Sequence, residues 1–302
     1  MRLPTNYFMF GFFIVFVIIS CIFPFSFSLA AVIWQENFDE ITDGWNCNGL
    51  LPEGWESVSS CQNASYNNAH HYSMEVTSLG ARSGNSMKVY RRYGFPANRD
   101  TFSEANIHAG ATRDVYIRYY MKLPVGLAVS NMEYIKQFVI KTNAGTWVYL
   151  NFNADDGTWA SQARYQILAN STTWYTLLKN SELIALQDGK WHCYEIRLQL
   201  NTTGSRNGIL QFWVDGVPHN VCDWDGSNCT ILGKTNIDWG ASTSDFFSDY
   251  SFGIGNRGSA TTFQTAWQAF EFDDITISTT YVGPDGSGNN QPSAPTGLKV
   301  MD

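Results

Sequence analysis

The chain has 302 residues, a formal net charge of −8 at pH 7 and no cluster of Lys or Arg. Phosphate recognition needs a concentrated positive face, so nucleic acid is excluded as a partner. Aromatic residues make up 15% of the sequence and include eleven Trp, a richness that suits a wide β core.

Residues 1–30 read as a secretory signal: Arg2 precedes an apolar run from Tyr7 to Leu29, and small residues close it at Ser28, Ala30 and Ala31. The run is long enough to span a bilayer, so a retained anchor is the alternative, with lipoprotein processing at Cys21 a third reading. With the signal removed, no membrane span is expected, and the protein reads as a monomer that is secreted or held at the cell surface or in the periplasm. Export makes disulfides available. Cys222 and Cys229 flank the turn-rich DWDGSN segment, and Cys47 and Cys61 flank another loop, which leaves Cys193 as a buried free thiol. Without a C-x-x-C pair, and with scattered histidines, structural zinc is not expected.

Residues 31–283 carry short runs of alternating apolar and polar residues separated by Gly, Asn, Asp and Pro, the pattern of antiparallel strands. Strands are expected over Ser86–Arg91, Val115–Lys122, Tyr134–Lys141, Thr146–Asn153, Trp191–Leu200, Ile209–Val214, Tyr250–Gly255 and Ala269–Ser278. Asp215-Gly216 supplies the positive φ angles of a two-residue hairpin turn, and Ser181–Leu186 reads as a short helical turn. Residues 284–302 read as a Gly/Ser/Asn linker followed by the opening of a fibronectin type III-like module. The pattern predicts an all-β antiparallel sandwich that forms a single domain over residues 31–283.

Acidic residues gather at both ends of the sandwich, Glu36 and Asp39 near the start, Asp273 and Asp274 near the end. Alternation changes phase at Asp273-Asp274, which predicts a bulge. Terminal strands pair in a jelly roll, so these four residues are expected to converge on a structural Ca²⁺, an ion that takes hard oxygen ligands. A bland reading is that they solvate a sheet edge.

The runs ENFDE at 36–40, SMKV at 86–89, VYIRYYMK at 115–122, WHCYE at 191–195, FWVDG at 212–216 and FDDITIS at 272–278 together resemble the concanavalin A-like lectin/glucanase superfamily, in its polysaccharide-lyase branch (alginate, glucuronan and heparin lyase-like jelly rolls). The resemblance implies a polysaccharide ligand held on a concave sheet. It departs from the best-known lyase patterns: Arg-x-Glu-x-Arg, Gln-Ile-His and Tyr-x-Lys-x-Gly-x-Tyr are absent, and so is the Glu-x-Asp-x-x-Glu strand of retaining β-glucanases. Serine-nucleophile and phosphate-loop motifs are also missing.

β-Elimination on a uronate needs a group that neutralises the carboxylate, a base for the C5 proton and an acid for the leaving oxygen. In VYIRYYMK, Tyr116, Arg118, Tyr120 and Lys122 share one face, opposite the apolar Ile117, Tyr119 and Met121. Arg118 and Gln137 are expected to neutralise the carboxylate, His108 or Tyr120 to act as base, and Tyr120 or Lys136 as acid. Glu104, Tyr116, Lys122, Trp147, Tyr149, Glu195, Arg197 and Trp213 are expected to line the substrate path. Each has an ordinary counterpart as a solvated or packing residue, and His192 reads as a core histidine. The competing functions are a non-catalytic carbohydrate-binding or adhesion module and a purely structural surface domain.

Overall fold

Alternation places every second residue of each strand inside, and the fold is two antiparallel sheets closed on those residues. The computed structural model describes residues 31–46, 50–59, 74–92, 101–127, 134–154, 163–169, 173–257 and 267–284. The expected signal, Cys47, Cys61, the side chain of Glu104 and the tail from 285 lie outside the described residues.

The back sheet has nine strands. Its order is β13 (Val217–Pro218), β12 (Gly208–Val214), β11 (His192–Gln199), β6 (Asp114–Lys122), β17 (Trp267–Ser278), β4 (Ser86–Arg92) and β3 (Met74–Thr77), with β1 (Val32–Glu36) on β17 and β15 (Lys234–Ile237) on β12. The front sheet has eight strands, in the order β14 (Cys222–Asp223), β10 (Thr173–Leu178), β9 (Ala163–Ala169), β8 (Trp147–Ala154), β7 (Tyr134–Thr142), β16 (Phe247–Arg257), β5 (Thr101–Thr112) and β2 (Ser57–Ser59). One short helix, α1 (Asn180–Ala185), links β10 to β11. The chain's first and last described strands lie side by side, Glu36 opposite Ile275, as the jelly-roll reading requires. The expected bulge is present too: the register of β17 against β6 shifts between Asp273 and Thr276, and Asp274 has a φ of 46°.

Aromatic rings fill the space between the sheets. Phe252 on β16 meets Trp34, Phe38, Trp55 and Phe138 at centroid distances of 5.9, 6.5, 5.8 and 6.1 Å, tying the N-terminal segment to the front sheet. A polar chain also runs through the core: Tyr119 and Tyr165 hydroxyls lie 2.6 Å apart, Tyr165 donates to Gln137 Oε1, and Gln137 Nε2 reaches Met121 Sδ at 3.0 Å. Gln137 therefore faces inward, fully buried, and not toward a ligand. Its strand carries a register irregularity between Lys136 and Phe138, and such a bulge turns two consecutive residues, Gln137 and Phe138, to the same side.

Deleting the Phe252 ring removes the hub of the aromatic cluster. Phe252→Ala is expected to cost about 3–5 kcal/mol of unfolding free energy, measured by urea denaturation.

Candidate functional site

The outward face of the front sheet is polar and aromatic, and cross-strand register orders it into rows. One row runs His108, Asp249, Lys141, Trp147 across β5, β16, β7 and β8. A second runs Asn106, Ser251, Val139, Tyr149, Leu168 and Trp174. A third runs Lys136, Asn151, Gln166 and Thr176. Trp147 and Tyr149 stack with centroids 5.7 Å apart and ring planes 17° from parallel, an aromatic shelf on β8. Lys141 Nζ sits 4.3 Å from the Trp147 ring and Lys136 Nζ 5.0 Å from the Tyr149 ring.

Two chemical groupings emerge on this face. In the first, Lys136 lies beside Tyr149, above a floor formed by Asn151, which is buried and whose Oδ1 has no hydrogen-bond partner among the described residues. A buried acceptor left open is costly unless a ligand meets it. In the second, His108 Nδ1 lies 3.0 Å from Asp249 Oδ1, and that hydrogen bond raises the His108 pKa above its ordinary value. Here Glu56, Ser57, Asn106, Lys141 and Asp249 line a shallow depression of about 290 Å³. His108 stands three strands from Tyr149, roughly 15 Å at the usual strand spacing, so the two groupings cannot act on one carbon.

The remaining expected site residues occupy the back sheet, on the opposite side of the molecule, and its outer face is covered. Residues 281–284 lie across it. Glu195, 2% exposed, accepts the N–H groups of Val282 and Gly283 at 2.7 and 2.8 Å; Tyr120 donates to the Pro284 carbonyl; Tyr281 packs with Tyr116 and Trp213. Arg118 donates to Thr276 Oγ1 at 2.8 Å and to the carbonyls of Asp274 and Gly283. Arg197 grips Asp114 through two bonds of 2.9 and 2.7 Å. From the other side Arg82 lies 3.7 Å over the Tyr120 ring, while Lys122 pairs with Glu271 at 2.8 Å and donates to Gly80. Tyr116, Arg118, Tyr120, Lys122, Glu195, Arg197 and Trp213 thus do not share a trough with His108, Lys136, Trp147 and Tyr149. Alternation tells which residues share a strand face, but strands of both sheets have outer faces, and these two point apart.

His192 is held between Asp215 (2.8 Å) and Asp188 (3.2 Å), fixing the start of β11. The Cys222–Cys229 disulfide forms, and Cys193 is a buried free thiol whose pKa burial pushes up to about 12, which makes it unreactive.

Of the four expected calcium ligands, two are engaged elsewhere. Glu36 accepts the Phe38 N–H at 2.7 Å and the Trp55 indole N–H at 3.0 Å, and Asp274 pairs with Arg82. Asp39 and Asp273 instead meet one loop, residues 82–85. Asp39 Oδ1 accepts the Asn85 N–H at 2.9 Å, and a Cβ on Gly84 would overlap the Asp39 carboxylate. Asp273 interacts with the Ser83 backbone N–H and keeps Oδ2 buried without a hydrogen-bond partner among the described residues; burial raises its pKa to about 7. No group of three or more His, Cys, Asp or Glu side chains is placed to hold a metal among the described residues. Both carboxylates meet N–H groups of this loop, and their hard oxygens are of the kind that suits Ca²⁺ and not zinc.

The polysaccharide lyase family profile matches residues 53–269. The chain belongs to the polysaccharide lyase family. Among solved structures, a PL-14 alginate lyase from Aplysia kurodai matches with a TM-score of 0.51 at 8% identity, covering 82% of this chain and 99% of that one. An endo-β-1,4-glucuronan lyase from the fungus Trichoderma reesei matches with a TM-score of 0.48 at 12% identity, over 83% and 97% of the two chains. A GH131 β-glucanase catalytic domain from Podospora anserina matches at 0.47 and 9% identity, over 83% and 97%. At these identities the likeness is one of fold. No curated protein matches the sequence. No helix among the described residues of this polysaccharide lyase family member is long and apolar enough to cross a membrane.

The Glu195 clasp has a pH signature. Burial pushes its carboxyl up to about 7, whereas an unfolded chain releases the proton at the ordinary glutamate value. Between those values the native state holds a proton that the unfolded state does not, so stability falls as pH rises through the window. The slope is on the order of 1.4 kcal/mol per pH unit, levelling off above about 7. Urea denaturation across pH 4–8 should show a slope flatter by about this amount in Glu195→Gln than in the wild type, where Asp273, also raised to about 7, adds its own fall.

Proposed function

We propose that this chain is an exported polysaccharide lyase that cleaves a uronate-containing glycan by β-elimination on the outward face of the front sheet. The observation that carries this reading is Lys136 beside Tyr149 over the open acceptor of Asn151. A base must break the C5–H bond while the C4–O4 bond breaks, leaving a C4=C5 double bond and a protonated O4. Tyr149 would take the C5 proton and return it to O4. The Lys136 ammonium would neutralise the substrate carboxylate and stabilise negative charge developing beside the phenol oxygen. Asn151 Oδ1 would accept a sugar hydroxyl, and the Trp147–Tyr149 shelf would stack on a ring.

His108 serves in this scheme as a cationic anchor for a sugar several subsites away, because it stands three strands from Tyr149 and its bond to Asp249 favours the imidazolium. Calcium, held by Asp39 and Asp273 with carbonyls of the 82–85 loop, would brace the β17 bulge and take no part in the chemistry. Family membership and the apolar leader of residues 7–29 support the exported, glycan-directed setting, and the protein is proposed to act as a monomer.

The test is absorbance at the unsaturated-uronide band with alginate and polyglucuronate as substrates. Wild type should give a rising signal that Tyr149→Phe lowers by at least 10²-fold, whereas Tyr120→Phe, on the covered face, keeps most of it. A flat wild-type signal with polymer retardation retained in affinity gels would favour the binding module instead. The KM of the wild type is expected to rise as pH climbs through the raised His108 value, where the imidazolium is lost. In His108→Ala the KM is already high and loses that pH dependence. For calcium, melting with the ion at a hundredfold its Kd should stabilise the wild type by about 2.7 kcal/mol relative to a chelator, and Asp273→Asn should lose that gain.

A further inference from the structure

The loop closed by the Cys222–Cys229 disulfide lies over the front sheet, and its backbone is braced from below. The Trp224 carbonyl accepts three hydrogen bonds, from Arg164 Nη1 at 2.7 Å, Gln166 Nε2 at 3.0 Å and Thr176 Oγ1 at 3.1 Å. Across the loop, Lys234 Nζ joins Asp223 Oδ1 at 2.8 Å to the Asn228 carbonyl at 2.7 Å, so an ammonium closes the ring of oxygens from within. Yet the Trp224 side chain is 60% exposed. Braced backbone and exposed indole are the two halves of a preformed binding element, because a ring held on a fixed loop loses little conformational freedom when a ligand covers it.

Position gives the ligand. Gln166, which holds the loop down, is the register partner of Asn151, and Asn151 is the partner of Lys136. The loop therefore forms a wall at the end of the Lys136–Asn151–Gln166–Thr176 row. It stands about two strand spacings, roughly 10 Å, from Asn151. We infer that Trp224 is a stacking platform for a distal ring of the same glycan chain. The inference rests on the proposed reading only for the location of the trough. An indole face covers the apolar face of a pyranose, and the disulfide closes the loop that carries it.

The experiment is affinity electrophoresis through gels containing alginate or polyglucuronate, run beside the absorbance assay. Trp224→Ala is expected to weaken retardation roughly tenfold in apparent Kd and to raise KM on polymer, with Trp224→Phe recovering most of the loss. Ile231→Ala, which removes another exposed apolar side chain near the loop, should migrate as wild type. The melting temperature of Trp224→Ala should match the wild type, since an exposed ring adds little to stability. Migration of Trp224→Ala like wild type, or equal weakening by Ile231→Ala, would overturn the platform. Retardation that depends on Trp224 without any turnover by the wild type would keep the platform and sink the lyase reading. A wild type that is retarded by neither polymer and gives no rise in absorbance would overturn both, whereas turnover without retardation would overturn the platform alone.

Discussion

One clasp decides which face of the molecule stays open. Glu195, buried at the centre of the back sheet, accepts the N–H groups of Val282 and Gly283 and so lays the chain's last described segment across that sheet. A β-sandwich has two outer faces, and either can bind a ligand. Here Glu195, Tyr120 and Arg118 spend their hydrogen-bonding capacity on 281–284, the Tyr116–Trp213–Tyr281 cluster fills the gap, and the 78–85 loop covers the other end. Burial of that much polar surface is stable because most of these groups meet a partner, although Arg118 Nε has none among the described residues. Among the described residues the front sheet has no such cover over His108 or Trp147.

The strands themselves were legible. Period-two alternation over Val115–Lys122, Trp191–Leu200 and Ala269–Ser278 found β6, β11 and β17 nearly residue for residue, and the phase change at Asp273-Asp274 is a real bulge. Alternation also divided each strand correctly: Ile117, Tyr119 and Met121 are core, and Arg118 and Glu195 are not on that side. What alternation cannot carry is sheet membership. Arg118 and His108 both face outward from their strands, but β6 and β5 belong to different sheets, and only long-range pairing decides that. Gln137 failed for a second reason: Ile135 and Gln137 are both inside, so alternation leaves only Lys136 outward, and the bulge that follows turns Phe138 inward as well. Strands β9 and β10 were missed, and with them Gln166 and Thr176, because their apolar residues run consecutively where one face packs into the core and the 222–229 loop meets the other.

The acidic residues show the same division between pattern and partner. Sequence placed Glu36, Asp39, Asp273 and Asp274 together, and chain pairing does bring β1 alongside β17. Which carboxylates remain available depends on local donors: the Phe38 N–H, Phe38 having a φ of 62°, and the Trp55 indole occupy Glu36, and Arg82 occupies Asp274. Trp224 is the converse case. The sequence marked its loop as a disulfide candidate, and only the hydrogen bonds from β9 and β10 to its carbonyl reveal that it overlies the front sheet.

Amide hydrogen exchange with and without a saturating uronate tetrasaccharide tests the choice of face most directly. If the glycan lies where Lys136, Tyr149 and Asn151 converge, added protection will fall on β7, β8, β9 and the 222–229 loop, leaving β6, β11 and 281–284 unchanged. Protection confined to β6, β11 and the 281–284 segment would place the ligand on the clasped side and contradict the account.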